Sequence, residues 1–208
     1  MTVILCYGDS NTHGTCPLPA PGVDLRHPPG ARWPDVMAAA LGPDHRVIDE
    51  GLPGRTTVHD DMVEGGMRNG ATVLPAVLHS HKPIDLMVLM LGTNDLKTRF
   101  SVSAWEIARS VERLALMARA EGVVRDILLV APAPVREIGS LAEVYSGAEA
   151  RQRGLDGFLA AAAQKQGFGF VSAGDHIAVS DVDGVHWAPE DHHRFGATMA
   201  RVVAERLA

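Results

Sequence analysis

A chain of 208 residues, 46% hydrophobic and 21% charged, can bury a core of its own, and this excludes a disordered or collagen-like protein. Its net charge of -6 offers no basic footprint for nucleic acid and disfavours an anionic membrane surface, so neither is expected as a partner. By length a single domain over 1–208 is expected.

The first nine residues, Met1 to Asp9, carry no basic leader, and no later apolar run approaches the length of a membrane span. The expected compartment is the cytoplasm, where Cys6 and Cys16 would remain free thiols. Residues 2–7 form a short continuous apolar run closed by Gly8-Asp9-Ser10, the pattern of a strand buried on both faces. A Pro- and Gly-rich segment over 15–32 follows, then a helix over 33–41 and a strand over 46–49 that ends at Glu50-Gly51. Next come a helix over 69–80 and a strand over 85–91 that runs into Gly92-Thr93-Asn94-Asp95. Ala104, Ile107, Ala108, Val111, Leu114, Ala115 and Ala118 recur at helical spacing behind Ser103, a natural N-cap. A strand over 126–131, a second irregular segment over 132–146, a helix over 147–166 and a strand over 168–173 complete the alternation. Pro189 then opens a last helix whose apolar stripe is Phe195, Met199, Val202, Val203 and Leu207.

Strand and helix alternate about five times, which predicts an α/β fold: a three-layer α/β/α sandwich around a parallel sheet of about five strands. Ligands of such sheets gather at the carboxyl ends of the strands. The two long irregular segments are expected to form the rim of a site there.

The chemistry-bearing residues fall at those ends. Ser10 sits in a sharp turn, where its hydroxyl can project into a cleft, but a serine hydroxyl needs an adjacent base before it attacks. Asp183-Gly184-Val185-His186 supplies one, since an acid three residues before a histidine can reach Nδ1–H and fix the tautomer. Ser10, His186 and Asp183 are therefore the candidate nucleophile, base and orienter, with Asp175, Asp181 and Glu190 as rival acids lacking that short spacing. Acyl transfer also needs donors for an oxyanion, and the candidates are the Ser10 amide, the Gly51 amide and the Asn94 side chain. His13 and Trp187, beside the two catalytic blocks, are candidate substrate-pocket walls. Each motif alone also reads as turn chemistry, with Asp95 simply capping the next helix; their joint order is hard to explain that way. His79 and His81, or His192 and His193 with Asp191, are adjacent enough to invite a metal, yet no zinc spacing is present and no metal or cofactor is expected. Asp9 is expected to hold the turn behind Ser10, Arg55 to brace the loop after Gly51, Trp33 to lie in the core, Asp60-Asp61 to be a solvated pair, and Cys16 to be a rim thiol.

Gly8-Asp9-Ser10, Gly51, Gly92-x-Asn94-Asp95 and Asp183-x-x-His186 resemble the four signature blocks of the SGNH hydrolases, also called GDSL esterases and lipases. The resemblance spans nearly the whole chain and implies the flavodoxin-like SGNH fold, with Ser10, His186 and Asp183 as triad and Ser10, Gly51 and Asn94 as oxyanion hole. More narrowly, residues 50–57, 68–70, 74–75, 81–86 and 90–97 are similar to bacterial arylesterases that also act as acyltransferases and assemble as octamers. That implies a cofactor-free serine esterase of short-chain aryl or alkyl esters, acting on a small-molecule substrate as a homo-oligomer. The sequence departs from those relatives at 11–16, where a leucine and a tryptophan are expected near positions 11 and 13, and in 132–146, which lacks their longer loop. Alternatives are a carbohydrate O-acetyl esterase of the same mechanism, a thioesterase, and a non-catalytic binding module.

Overall fold

The structure is a computed structural model, which describes residues 1–23 and 25–208. Five strands form one parallel sheet: β1 (Thr2–Gly8), β2 (His45–Gly51), β3 (Ile84–Met90), β4 (Val124–Ala131) and β5 (Gly169–Ser172), in the order β2-β1-β3-β4-β5. This is the doubly wound arrangement, and its strand order reverses between β1 and β3. Among the described residues seven α-helices flank the sheet: α1 (Ser10–His13), α2 (Trp33–Leu41), α3 (Gly70–His81), α4 (Ala104–Ala120), α5 (Ala148–Arg151), α6 (Leu155–Gln166) and α7 (Pro189–Leu207).

Alternate side chains of each strand feed opposite layers, as the two-residue period of a strand requires. From β1, Ile4 and Cys6 join Leu86, Val88 and Met90 of β3 against Trp33 and Met37 of α2 and Phe195, Met199 and Val203 of α7. Leu5 and Tyr7 join Met87 and Leu89 on the other face, under Leu74 and Leu78 of α3, Ile107, Val111 and Leu114 of α4, and Leu159 of α6. Both faces are dry, which explains why these strands read as continuous apolar runs. Burial of each such large side chain contributes about 1.5–3 kcal/mol, so the rigid platform under the site is set by these two layers.

Local signals account for most element ends. Ser103 and Glu106 form a capping box at the start of α4, each side chain bonding the other's backbone N–H. The single helix expected over 147–166 is two, because the chain passes through a left-handed Gly154 (φ 81°) between α5 and α6. The turn expected at Ser10 is wound into one helical turn, capped by Asp9 and stopped at left-handed Gly14 (φ 85°). Both cysteines are free, Cys6 in the core and Cys16 half-buried.

Among the described residues no three His, Cys, Asp or Glu side chains gather as a metal set. His79 pairs with Glu121 and His81 with Glu50. His192 turns inward, where its Nδ1 accepts the Trp33 N–H at 3.3 Å and burial pushes its pKa down to about 3. No described helix is long and apolar enough to cross a membrane.

Candidate active site

Ser10 leaves β1 and Asn94 follows β3, so the strand-order reversal brings the two together at the carboxyl edge of the sheet. Asp9 holds the first of these turns, its carboxylate accepting the Asn11 N–H at 3.0 Å while burial raises its pKa to about 6. Asp9 thus acts on the backbone, as expected of it.

His186 arrives from the far end of the chain, on the loop before α7. Its Nε2 lies 3.0 Å from Ser10 Oγ and its Nδ1 2.6 Å from Asp183 Oδ2. With a carboxylate at Nδ1, that nitrogen carries the proton, and Nε2 is left as acceptor for the serine O–H. Asp183 Oδ1 accepts the N–H groups of Val185 and His186, each at 2.9 Å, and Oδ2 also accepts the Leu18 N–H at 2.7 Å. Burial alone would raise this acid, but the His186 ring and these amides outweigh it and hold its pKa below the ordinary carboxylate value. Asn11 Nδ2 ties the loop to the first turn by donating to Val185 O at 3.2 Å. Ser10, Asp183 and His186 are all buried, the three side chains forming one hydrogen-bonded line.

That line opens on a cavity of about 370 Å³ lined by Ser10, His186, Asn94 and Gly54, with Leu18, Val23, Leu141, Val144 and Tyr145 from the two long irregular segments. Those segments are rims, as their length and composition predict.

The oxyanion candidates need one correction. Gly51 N–H donates to Asp49 Oδ1 at 3.0 Å, and the residue does not line the cavity. Gly51 is instead a packing glycine: a Cβ there would stand 2.1 Å from the His13 N, so only hydrogen lets β2 meet α1. Gly54, three residues on and left-handed (φ 80°), does line the cavity, and its amide and that of Ser10 bond no other described residue. Asn94 lines the cavity too. One of its amide hydrogens goes to Arg55 O at 3.1 Å, and its Oδ1 accepts the Tyr145 hydroxyl at 3.3 Å. These two partners fix which way the amide faces and leave one N–H for the cavity.

The loop carrying Gly54 is clamped at both ends. Arg55 is buried over the Tyr7 ring, 4.1 Å from its centroid, and donates to Gly8 O at 2.8 Å and to Glu50 O. It braces, as expected. Asp95 does not cap a helix; it accepts the Thr57 N–H at 3.0 Å and the Thr57 hydroxyl at 2.5 Å, and burial raises its pKa to about 7.

His13 and Trp187 do not line the cavity. Trp187 is fully buried between Phe195 and His192, while His13 is half-buried and gives its carbonyl to Arg26 Nε at 2.8 Å. Asp61 is likewise not solvated, its side chain being fully buried between Lys97 and Arg99. Gly54, Tyr145 and Arg68 are among the cavity residues that motif reading misses.

A nucleophile, a base, an orienter and three donors around one small cavity are the parts that acyl transfer to serine requires. The comparisons with known proteins agree. Residues 6–198 match the GDSL-like Lipase/Acylhydrolase family. The fold is similar to that of Est24, a carbohydrate acetylesterase from Sinorhizobium meliloti, at 35% identity and a TM-score of 0.92, covering 99% of this chain and 100% of that one. It is equally similar to the native aryl esterase of M. smegmatis, at 32% identity and a TM-score of 0.92, with 99% of both chains covered. No curated protein sequence matches. With this match over nearly the whole chain, on the five-stranded parallel sheet of the SGNH hydrolases, the protein belongs to the GDSL-like lipase/acylhydrolase family and is a carboxylic ester hydrolase.

Proposed function

We propose that the protein hydrolyses short-chain carboxylic esters through an acyl-Ser10 intermediate. The observation that carries this reading is the line from Asp183 through His186 to Ser10, at 2.6 and 3.0 Å, opening on a cavity that also holds Asn94 and Gly54. His186 Nε2 takes the proton as Ser10 Oγ attacks the carbonyl carbon. The oxyanion that forms is held by the amides of Ser10 and Gly54 and by Asn94 Nδ2. When the intermediate collapses, His186 returns the proton to the leaving alkoxide, then activates water to release the acid. An alcohol in place of that water gives acyl transfer by the same steps.

Small substrates follow from size: about 370 Å³ lies near the lower end of ligand pockets and must hold both halves of the ester. Turnover of p-nitrophenyl acetate, butyrate and octanoate is expected to fall in that order. Adding benzyl alcohol to the acetate reaction and measuring benzyl acetate reports the transfer branch. Octanoate turned over as fast as acetate would end the short-chain reading.

A carbohydrate O-acetyl esterase is the second reading, favoured by the polar wall of Glu64, Arg68 and Lys97 and by the likeness to the acetylesterases of S. meliloti. Faster acetate release from acetylated xylo-oligosaccharides than from phenyl acetate would select it.

The same proposal includes self-association. Met62, Val63 and Met67 are 82%, 74% and 72% exposed on the loop that also supplies Glu64 and Arg68 to the cavity. Clustered exposed apolar side chains beside a site suit a protein surface better than water. Light scattering is expected to give a mass that is a multiple of 22.2 kDa, reduced by the double change Met62→Ser and Met67→Ser. A wild-type monomer at tens of micromolar would refute it.

A further inference from the structure

Resting on the esterase reading, we propose that Arg68 makes this cleft selective for esters whose alcohol half carries a carboxylate. Arg68 lines the same cavity as Ser10, Asn94 and His186. It occupies the space that Gly54 leaves by having no side chain: a Cβ on Gly54 would stand 3.1 Å from Arg68 Nε and 3.3 Å from its Cδ. The guanidinium therefore lies against the residue whose amide faces the reacting carbonyl.

Its charge is surplus to the fold. The neighbouring acids are already matched, Asp61 by Lys97 at 3.2 Å and Arg99 at 2.9 Å, and Glu64 by Lys97 at 2.5 Å and by Arg99. Two acids thus meet two bases, and the loop needs no third cation to hold its shape. Arg68 makes no ion pair with any described residue, and its one protein acceptor is Met67 O at a long 3.5 Å. A half-buried arginine with its fork unmatched is shaped for a planar two-oxygen anion from outside. In a chain of net charge -6, an unmatched cation on the cleft wall makes a local site for an anion.

The alcohol half is the one that meets Arg68. The carbonyl oxygen must sit among the donors of Ser10, Gly54 and Asn94, and an acetyl group fills little of the cavity beyond them. The remaining space, with Arg68 on its wall, is left to the alcohol.

The test compares 3-acetoxybenzoate with its neutral methyl ester, using the ratio of their kcat/KM values in wild type, Arg68→Gln and Arg68→Lys. A charge-assisted hydrogen bond to a carboxylate makes the expected fall in the anionic-to-neutral ratio about tenfold or more in Arg68→Gln, with a smaller fall in Arg68→Lys. Comparing ratios cancels both the intrinsic reactivity of the two esters and any general loss in the variant. In wild type the ratio is also expected to shrink as NaCl is raised from 0.01 to about 1 M, a reading that needs no variant to fold. An unchanged ratio in Arg68→Gln, or one indifferent to salt in wild type, would overturn the assignment. Failure of the esterase reading looks different: wild type would not cleave even the neutral methyl ester.

Discussion

Ser10→Ala is expected to lower kcat for p-nitrophenyl acetate by about 10⁴-fold or more, leaving only the acceleration that donors and binding supply without a nucleophile. His186→Ala should lose a comparable factor, and the double variant little more, because nucleophile and base act as one unit. The hydrogen bonds explain the coupling. Without Ser10 Oγ, His186 Nε2 has no proton to take; without His186, the buried hydroxyl 3.0 Å away has no acceptor for its proton. Asp183→Asn should follow closely, since an amide offers Nδ1 no charge to stabilise the imidazolium and also disturbs the bond from Leu18 N–H at 2.7 Å. The checks are single-turnover and steady-state rates, with circular dichroism to show that each variant is folded. Labelling by a fluorophosphonate should add mass to Ser10 in wild type only. More than about one per cent of the wild-type rate in Ser10→Ala would remove Ser10 from the mechanism, far above the residual rate expected without the nucleophile.

The hydrogen-bonded set of Ser10, His186 and Asp183 was legible in the sequence because each of its two halves carries a local signal. Asp183 and His186 are three residues apart, so one turn of backbone brings them together, and Ser10 follows directly on a strand whose apolar run marks its end. The centre of the sheet was legible because β1, β3 and β4 are apolar runs buried along most of their length, whereas the edge strand β2 is only half-buried and the other edge, β5, is short. What failed was inference from adjacency. Trp187 follows His186, but its ring is fully buried against Phe195 and His192 of the last helix, so standing next to a catalytic group in sequence does not put a side chain in the cleft. Gly51 ends its strand as a donor would, yet the Asp49 carboxylate two residues back captures its amide, leaving the cavity to Gly54. Asp61 reads as solvated because its partners Lys97 and Arg99 are more than thirty residues away. Tyr145 was invisible for that reason too; its only signal was its place in a long irregular segment expected to form the rim.

Asn94→Ala is expected to lower kcat by about 10²–10³ with much less change in KM, the signature of a donor that matters most after charge has formed. A carbonyl oxygen in the bound ester accepts such a bond weakly, whereas the alkoxide of the tetrahedral intermediate accepts it strongly, so the loss falls on the chemical step. Asn94→Asp should be worse than alanine, because a carboxylate beside a forming oxyanion repels it. The donor's worth depends on its aim, and the aim is set by two bonds: Nδ2 to Arg55 O at 3.1 Å and Tyr145 O–H to Oδ1 at 3.3 Å. Tyr145→Phe removes only the second, and a fall in kcat of roughly threefold to tenfold is expected, the order of one neutral hydrogen bond. In an Asn94→Ala background the same change should then do almost nothing, since Tyr145 acts on the oxyanion only through Asn94. Equal losses from Tyr145→Phe in both backgrounds would mean that the hydroxyl meets the substrate itself. A loss in Asn94→Ala that appeared in KM alone would place Asn94 in substrate binding and take it out of the oxyanion hole.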